Sequence, residues 1–209
     1  MQANFWHDMW ARGVVGFHQA EMNAFLTHHW QKLGFRGDET ILVPLCGKSL
    51  DMLWLAKQGH TILGVELSQK ALDEFLTENA ITAAPITHAH YCGYQLEQMR
   101  LLCGDFFHLS AEDCQDVQGA FDRAALVALP PEMRIQYVAH LRKILPKGMS
   151  YLIITMQYDQ SRVQGPPFSV PEAEVRQLFA GVESIEKVEE VHFEHKSVAC
   201  TEMVFVIQT

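Results

Sequence analysis

The segment Ile41–Ser68, ILVPLCGKSLDMLWLAKQGHTILGVELS, constrains the fold more than any other stretch of the chain. Ile41–Leu45 is a short apolar run bounded by turn residues, the pattern of a buried strand. Gly47 permits the tight turn that follows. Lys48–Gln58 spaces Leu50, Leu53 and Trp54 as a helix burying one face, and Gly59 stops it. Thr61–Val65 is a second strand. Ser68 stands where an N-cap belongs, ahead of a helix to about Glu78 that carries Ala71, Leu72, Phe75 and Leu76 on one face.

The same alternation continues along the chain. Residues 3–35 hold Phe5, Trp6, Trp10, Phe17, Phe25 and Trp30 and read as one or two helices, with Phe17, Ala20 and Ala24 at helical spacing until Gly34 and Gly37 break the pattern. Ala83–Tyr94 fits a loop or an edge strand, Arg100–Cys103 a strand, and Ala120–Leu129 a strand running into a loop. Pro130-Pro131-Glu132 opens a helix to about Leu145, because proline suits the first turn. Tyr151–Met156 is a strand, Gln164–Pro171 a loop and Pro171–Ala180 a helix. Glu183–Phe193 and Val198–Ile207 close the chain as two strands with a short connection, which makes that end of the sheet antiparallel. Alternating strands and helices predict an α/β fold, a mostly parallel sheet with helices on both faces. Without a linker or repeat, residues 1–209 read as a single domain.

Composition narrows the function. The 209 residues carry a formal net charge of −9 and no Lys/Arg run, which argues against a nucleic-acid partner. The five cysteines are odd in number and none are spaced C-x-x-C, so a reducing compartment fits better than a disulfide framework. The N-terminal apolar residues are interrupted by His7, Asp8, Arg12, His18 and Glu21, unlike a signal peptide, and no stretch approaches membrane-span length. A cytoplasmic protein with no membrane partner is expected. His88, His90 and Cys92 alternate as strand ligands would, but no second ligand cluster accompanies them, and no metal is expected. His28 and His29 point in different directions from a helix and read as solvated.

In doubly wound sheets the ligand lies beyond the carboxyl ends of the strands. Gly47 follows the first strand and Glu66 ends the second, 19 positions later. A carboxylate there accepts both hydroxyl hydrogens of a ribose. A dinucleotide fingerprint needs three glycines so that backbone can approach a pyrophosphate, and this turn has one. The missing glycines move the choice toward S-adenosylmethionine, which keeps the adenosine and has no phosphate. An ordinary glycine turn with a surface glutamate would show the same spacing. Gly104, Asp105 and Phe106 follow the third strand, where Phe106 would stack on adenine and Asp105 meet its amine, unless the aromatics belong to the core. Arg123, near the end of the fourth strand, suits the cofactor carboxylate or an anionic acceptor, the alternative being a surface pair with Asp122. Trp6 and Trp10 offer aromatic faces to a sulfonium, or simply pack.

Together these motifs resemble the thiopurine S-methyltransferase family in its bacterial form, over nearly the whole length. The resemblance is carried by WHDMW at 6–10, GFHQ at 16–19, VPLCGKSLDMLWLAKQGHTILGVELS, FDRAALVA at 121–128, GPPFSVP at 165–171 and HKS at 195–197. It implies a class I methyltransferase (Rossmann-like) fold: a seven-stranded, mostly parallel sheet with an antiparallel strand near the C-terminus, and extra N-terminal helices at 1–35 covering the cofactor site. It implies that Trp10, Leu45, Glu66 and Arg123 line a pocket for S-adenosyl-L-methionine, with Gly104 and Asp105 at the adenine; Gly47 and Phe106 join them from the motif reading above. Gly104 and Asp105 differ from the mammalian pattern, and Glu194 stands where the mammalian form is expected to have arginine.

The implied reaction is in-line methyl transfer to a small aromatic or heterocyclic thiol, or to a selenium or tellurium compound, by a monomer. Such a nucleophile is largely ionised near neutral pH, so proximity, alignment and desolvation carry catalysis. Arg123 would steady developing charge, and Asp8 would contact a protonated ring nitrogen or a water. Phe17 and Phe168, with the GPPF loop, would wall the acceptor, unless they only pack. Three other readings stand: a different small-molecule acceptor, an NAD(P)-dependent oxidoreductase on a related sheet, and a module that holds adenosine without turnover.

Overall fold

The computed structural model describes residues 3–16, 18–195 and 197–209. The strands are β1 (Thr40–Pro44), β2 (Thr61–Glu66), β3 (Ala84–His88), β4 (Tyr91–Gln95), β5 (Met99–Cys103), β6 (Val117–Asp122), β7 (Ser150–Tyr158), β8 (Ser184–His195) and β9 (Val198–Gln208). They form one sheet in the order β3-β4-β5-β2-β1-β6-β7-β9-β8. From β5 to β7 every pairing is parallel, while β9 is antiparallel to both β7 and β8. These seven strands are the α/β sheet expected from the sequence. Two more extend it: β3 and β4 form a hairpin that pairs antiparallel with β5. Among the described residues the sheet therefore has nine strands, the expected seven and this added hairpin. β3 is exposed along most of its length and is held chiefly by its ladder to β4.

The helices are α1 (Ala3–Ala11), α2 (Ala24–His29), α3 (Asp51–Lys57), α4 (Gln69–Glu78), α5 (Ala125–Ala128), α6 (Pro131–Ile144) and α7 (Glu172–Leu178). Strand side chains alternate between faces, and the sheet sorts them into two cores. On one face Leu42, Leu63 and Val65 pack with Val138 and Leu141 of α6 and Val175 of α7. On the other, Ile41, Val43 and Ile62 pack with Leu26 of α2, Met52 and Leu55 of α3, and Leu72 and Phe75 of α4.

Several local expectations are corrected. Residues 14–16 and 18–22 are not helical, so Ala20 and Ala24 share no helix face, and Phe17 lies outside the described residues. The Asn23 side chain accepts the N–H groups of Phe25 and Leu26 at 3.0 and 3.4 Å, and its own N–H donates to Asp51 at 2.7 Å, so α2 starts only at Ala24. The helix expected over Lys48–Gln58 begins at Asp51, because residues 47–49 make the turn. Ser68 occupies the N-cap of α4, but its hydroxyl makes no capping bond; its N–H donates to Glu66 instead. The stretch after Asp122 turns into α5 rather than a loop. His29 is buried and paired with Glu189, not solvated, whereas His28 is exposed.

Candidate functional site

A cavity of about 790 Å³ lies beyond the carboxyl ends of β1, β2, β5, β6 and β7. Its best-defined polar group is Glu66, the last residue of β2 and only 6 % exposed. Oε2 accepts the Gly47 N–H at 2.9 Å and Oε1 the Ser68 N–H at 2.8 Å. Burial raises the proton affinity of the carboxyl, and the backbone donors oppose that rise. Each carboxylate oxygen has two lone-pair directions, so each keeps acceptor capacity toward the cavity. This donor set fits a vicinal diol.

The turn that supplies Gly47 is left-handed at two places, Leu45 with φ 49° and Gly47 with φ 54°. A Cβ on Gly47 would stand 3.2 Å from Cζ2 of Trp10. Trp10 thus packs onto the turn, and it is itself 3 % exposed. On α1, Ala3, Trp6, Met9 and Trp10 recur at helical spacing and line the cavity. Asp8 lies on the opposite side of that helix, exposed and outside the lining. Its side chain therefore does not line the cavity, because neighbouring positions on a helix diverge by about 100°.

After β5, a Cβ on Gly104 would stand 2.6 Å from Cδ1 of Tyr91, so this position has no room for a side chain. The Tyr91 hydroxyl donates to the Asp105 carbonyl at 2.9 Å and fixes the path of the chain. The Asp105 carboxylate accepts the Phe107 N–H at 3.0 Å, capping a single turn of 3-10 helix (Phe106–His108). Phe106 lines the cavity but is largely core, its ring 5.2 Å from Tyr137 and 5.6 Å from His140.

Arg123 follows β6, and its Nε lies 3.3 Å from Oδ2 of Asp51. Asp51 also accepts the Asn23 N–H at 2.7 Å and the Ser49 hydroxyl at 2.9 Å, tying the N-terminal segment and the glycine turn to Arg123. Among the described residues Arg123 pairs with Asp51, and Asp122 turns to other partners instead of forming the surface pair with it. Asp122 is buried and accepts the N–H groups of Ala125 and Leu126 at 2.9 and 3.1 Å and the Tyr137 hydroxyl at 2.8 Å. Burial pushes its pKa up to about 6. Lys48 also reaches the cavity wall, but its ammonium is bonded to Glu74 at 2.8 Å and Glu78 at 2.6 Å.

The cavity thus brings Trp10, Leu45, Gly47, Glu66, Gly104, Asp105, Phe106 and Arg123 together. Its far end, toward β7 and β9, is walled by Met156, Tyr158, Pro166, Pro167, Cys200 and Glu202. Phe168 is not in that wall: its ring covers the Arg134 guanidinium at 5.9 Å, and its N–H donates to the Val127 carbonyl at 2.6 Å. Phe17 lies outside the described residues. Sequence reasoning missed Asp51 and Glu202, which reach the site through contacts remote in sequence. His88, His90 and Cys92 engage Asp113, His108 and Gln69 respectively. Among the described residues no group of three or more His, Cys, Asp or Glu side chains is arranged to hold a metal ion. Among them, too, no helix is long and apolar enough to cross a membrane.

Comparison with known proteins fits this geometry. The family model described as thiopurine S-methyltransferase matches residues 1–207. A relative of that name from Pseudomonas entomophila (strain L48) is 48 % identical over 191 residues, spanning 90 % of this chain and 88 % of its own. Another from Azotobacter vinelandii (strain DJ / ATCC BAA-1303) is 48 % identical over 178 residues, spanning 85 % and 82 %. Among solved structures, the 1,6-didemethyltoxoflavin-N1-methyltransferase of Burkholderia thailandensis, with bound 1,6-didemethyltoxoflavin and S-adenosylhomocysteine, superposes with a TM-score of 0.68 at 15 % identity, over 99 % of this chain and 86 % of that one. The N-methyltransferase NodS of Bradyrhizobium japonicum WM9, in complex with S-adenosylhomocysteine, gives 0.63 at 11 % identity, over 96 % and 97 %. At those identities the likeness speaks to the fold, whereas the near relatives and the family model speak to the enzyme. The chain belongs to the thiopurine S-methyltransferase family, enzymes that take their methyl group from S-adenosylmethionine.

Proposed function

We propose that this enzyme methylates the sulfur of a small aromatic or heterocyclic thiol, with the cofactor at the β2–β5 side of the cavity and the acceptor at the β7–β9 side. The observation that carries the reading is the buried Glu66 carboxylate, aimed by Gly47 and Ser68 and still able to accept two hydroxyls. Glu66 would hold the ribose, the Gly104–Asp105 backbone the adenine, and Arg123 the cofactor carboxylate. Trp10 would cover the sulfonium side. When bound, S-adenosylmethionine supplies an electrophilic methyl group on a cationic sulfur.

The remaining work falls to the chain. Trp6, Met9 and Trp10 exclude water from the cavity, and Asp51 orients Arg123. Pro166, Pro167, Met156 and Tyr158 present a largely apolar wall that suits a planar ring and a soft sulfur nucleophile. Selenolates share that chemistry, and we include them and tellurium analogues in the acceptor class. A cytoplasmic, monomeric enzyme completes the reading.

Purified protein incubated with methyl-labelled cofactor and thiophenol should yield labelled thioether, with phenol and aniline far slower. Failure on every thiol and selenol, with the cofactor bound, would overturn the acceptor class.

A further inference from the structure

We propose that Glu202 accepts the ring N–H of a heterocyclic thione and takes its proton as the sulfur is methylated, so that it selects acceptors carrying an N–H beside the sulfur. This rests on the S-methylation reading above. Sheet order sets the position. Glu66 and Gly104 mark the ends of β2 and β5, whereas Glu202 lies on β9, beyond β1, β6 and β7. With strands about 4.8 Å apart, Glu202 stands roughly 19 Å across the sheet from β2 and about 10 Å from β6, which leads to Arg123. A nucleoside held by Glu66 leaves that end of the cavity to the acceptor.

Register settles which way Glu202 faces. Glu202 pairs with Met156, Cys200 with Tyr158 and Val204 with Ile154. Directly paired residues share a face, and Val204 and Ile154 belong to the core that holds Phe121 and Met52. Glu202 is therefore on the α3 side of the sheet, the side on which Arg123 meets Asp51. Around it the wall is otherwise neutral or engaged. The Tyr158 hydroxyl donates to the Pro167 carbonyl at 2.6 Å, and the Cys200 thiol to the Val198 carbonyl at 3.4 Å. His195 lies on the facing strand β8, and Arg123 is the nearby cation. The backbone of Glu202 is held in the β9 ladder, and among the described residues its side chain forms no hydrogen bond and no close ion pair, Arg123 acting on it only at longer range. Burial raises its proton affinity and Arg123 partly offsets that, which suits a carboxylate that must both accept a hydrogen bond and hold a proton.

The chemistry balances. In a thione, N(H)–C=S, sulfur forms its bond to the methyl carbon while the bond from that carbon to the departing sulfur breaks. The N–H electron pair becomes the ring C=N bond, and the proton passes to Glu202 as a neutral carboxylic acid. A simple arylthiolate has no such proton to give, and its charge is repelled by the carboxylate.

The test compares the full-length protein with Glu202→Gln and Glu202→Asp, using 2-mercaptobenzimidazole as the thione and 4-nitrothiophenol as the arylthiolate. The ratio of kcat/KM for thione over thiolate should fall at least tenfold in Glu202→Gln and less in Glu202→Asp, which keeps the carboxylate. The near-ultraviolet band of 2-mercaptobenzimidazole, titrated with protein without cofactor, should shift in the wild type and lose that shift in Glu202→Gln. An unchanged ratio and an unchanged shift overturn the role of Glu202. Should the wild type methylate neither probe yet bind the thione in a Glu202-dependent way, the S-methylation reading fails and recognition by Glu202 stands. Melting curves for each variant separate lost recognition from lost fold.

Discussion

Glu66 Oε2 accepts the backbone N–H of Gly47 at 2.9 Å, joining the end of β2 to the turn after β1. The bond fixes the carboxylate before any ligand arrives, and the Ser68 N–H holds its other oxygen at 2.8 Å. Binding then need not order this side chain, which removes part of the entropic cost of association.

Gly47→Ala should disturb that arrangement twice. The position has φ 54°, where a Cβ costs about 1–2 kcal/mol, and the added carbon would press on Trp10 at 3.2 Å. Differential scanning calorimetry should show a lower Tm, and affinity for S-adenosylhomocysteine should fall with it. An unchanged melting curve would mean that the turn relaxes freely.

Arg123→Ala should weaken S-adenosylhomocysteine about tenfold to a hundredfold, the range for a charge-assisted hydrogen bond of about 1.5–3 kcal/mol. Methylthioadenosine lacks the amino-acid carboxylate and should bind both proteins alike. If both ligands weaken equally, Arg123 does not read the carboxylate.

Asp122 gives a pH signature. Burial lifts its pKa to about 6, above the roughly 3.9 of an unfolded chain. The folded state then binds the proton more tightly, so the contribution of this group to stability is full below about pH 4 and is lost as pH rises to about 6. Asp122→Asn keeps an acceptor for the Ala125 and Leu126 N–H groups and does not ionise. Urea denaturation should therefore favour the Asn form over wild type by about 2–3 kcal/mol more at pH 6.5 than at pH 4, at about 1.4 kcal/mol per pKa unit. A flat or opposite difference would refute the raised pKa.

Much of the central sheet was readable because its signals are local. Ile41–Leu45, Gly47 and Thr61–Glu66 announce strand, turn and strand within a short window, and the single glycine already argued against a pyrophosphate. The β3–β4 hairpin was ambiguous because β3 is mostly exposed, so no apolar alternation marks it. Asp8, expected to contact a ring nitrogen or a water, is turned away from the cavity by the same helical spacing that brings Ala3, Trp6, Met9 and Trp10 to it. Glu202 left no local trace, since the β7 neighbour Met156 that helps place it at the cavity, and the cation Arg123, come from far off in sequence. Asp51 was hidden for the same reason: its partners Asn23 and Arg123 lie 28 residues before it and beyond β6.

The most direct measurement is the affinity of Glu66→Ala for S-adenosylhomocysteine by isothermal titration calorimetry, with a melting curve alongside. Loss of two hydrogen bonds to a charged acceptor, about 1.5–3 kcal/mol each, should raise the Kd by a hundredfold or more. Glu66→Ala also leaves the Gly47 and Ser68 N–H groups without their acceptor, so the melting temperature should fall modestly while the transition stays cooperative. An unaltered Kd in a folded variant would contradict the assignment of Glu66 to the ribose and, with it, the placement of the cofactor at Ile41–Ser68.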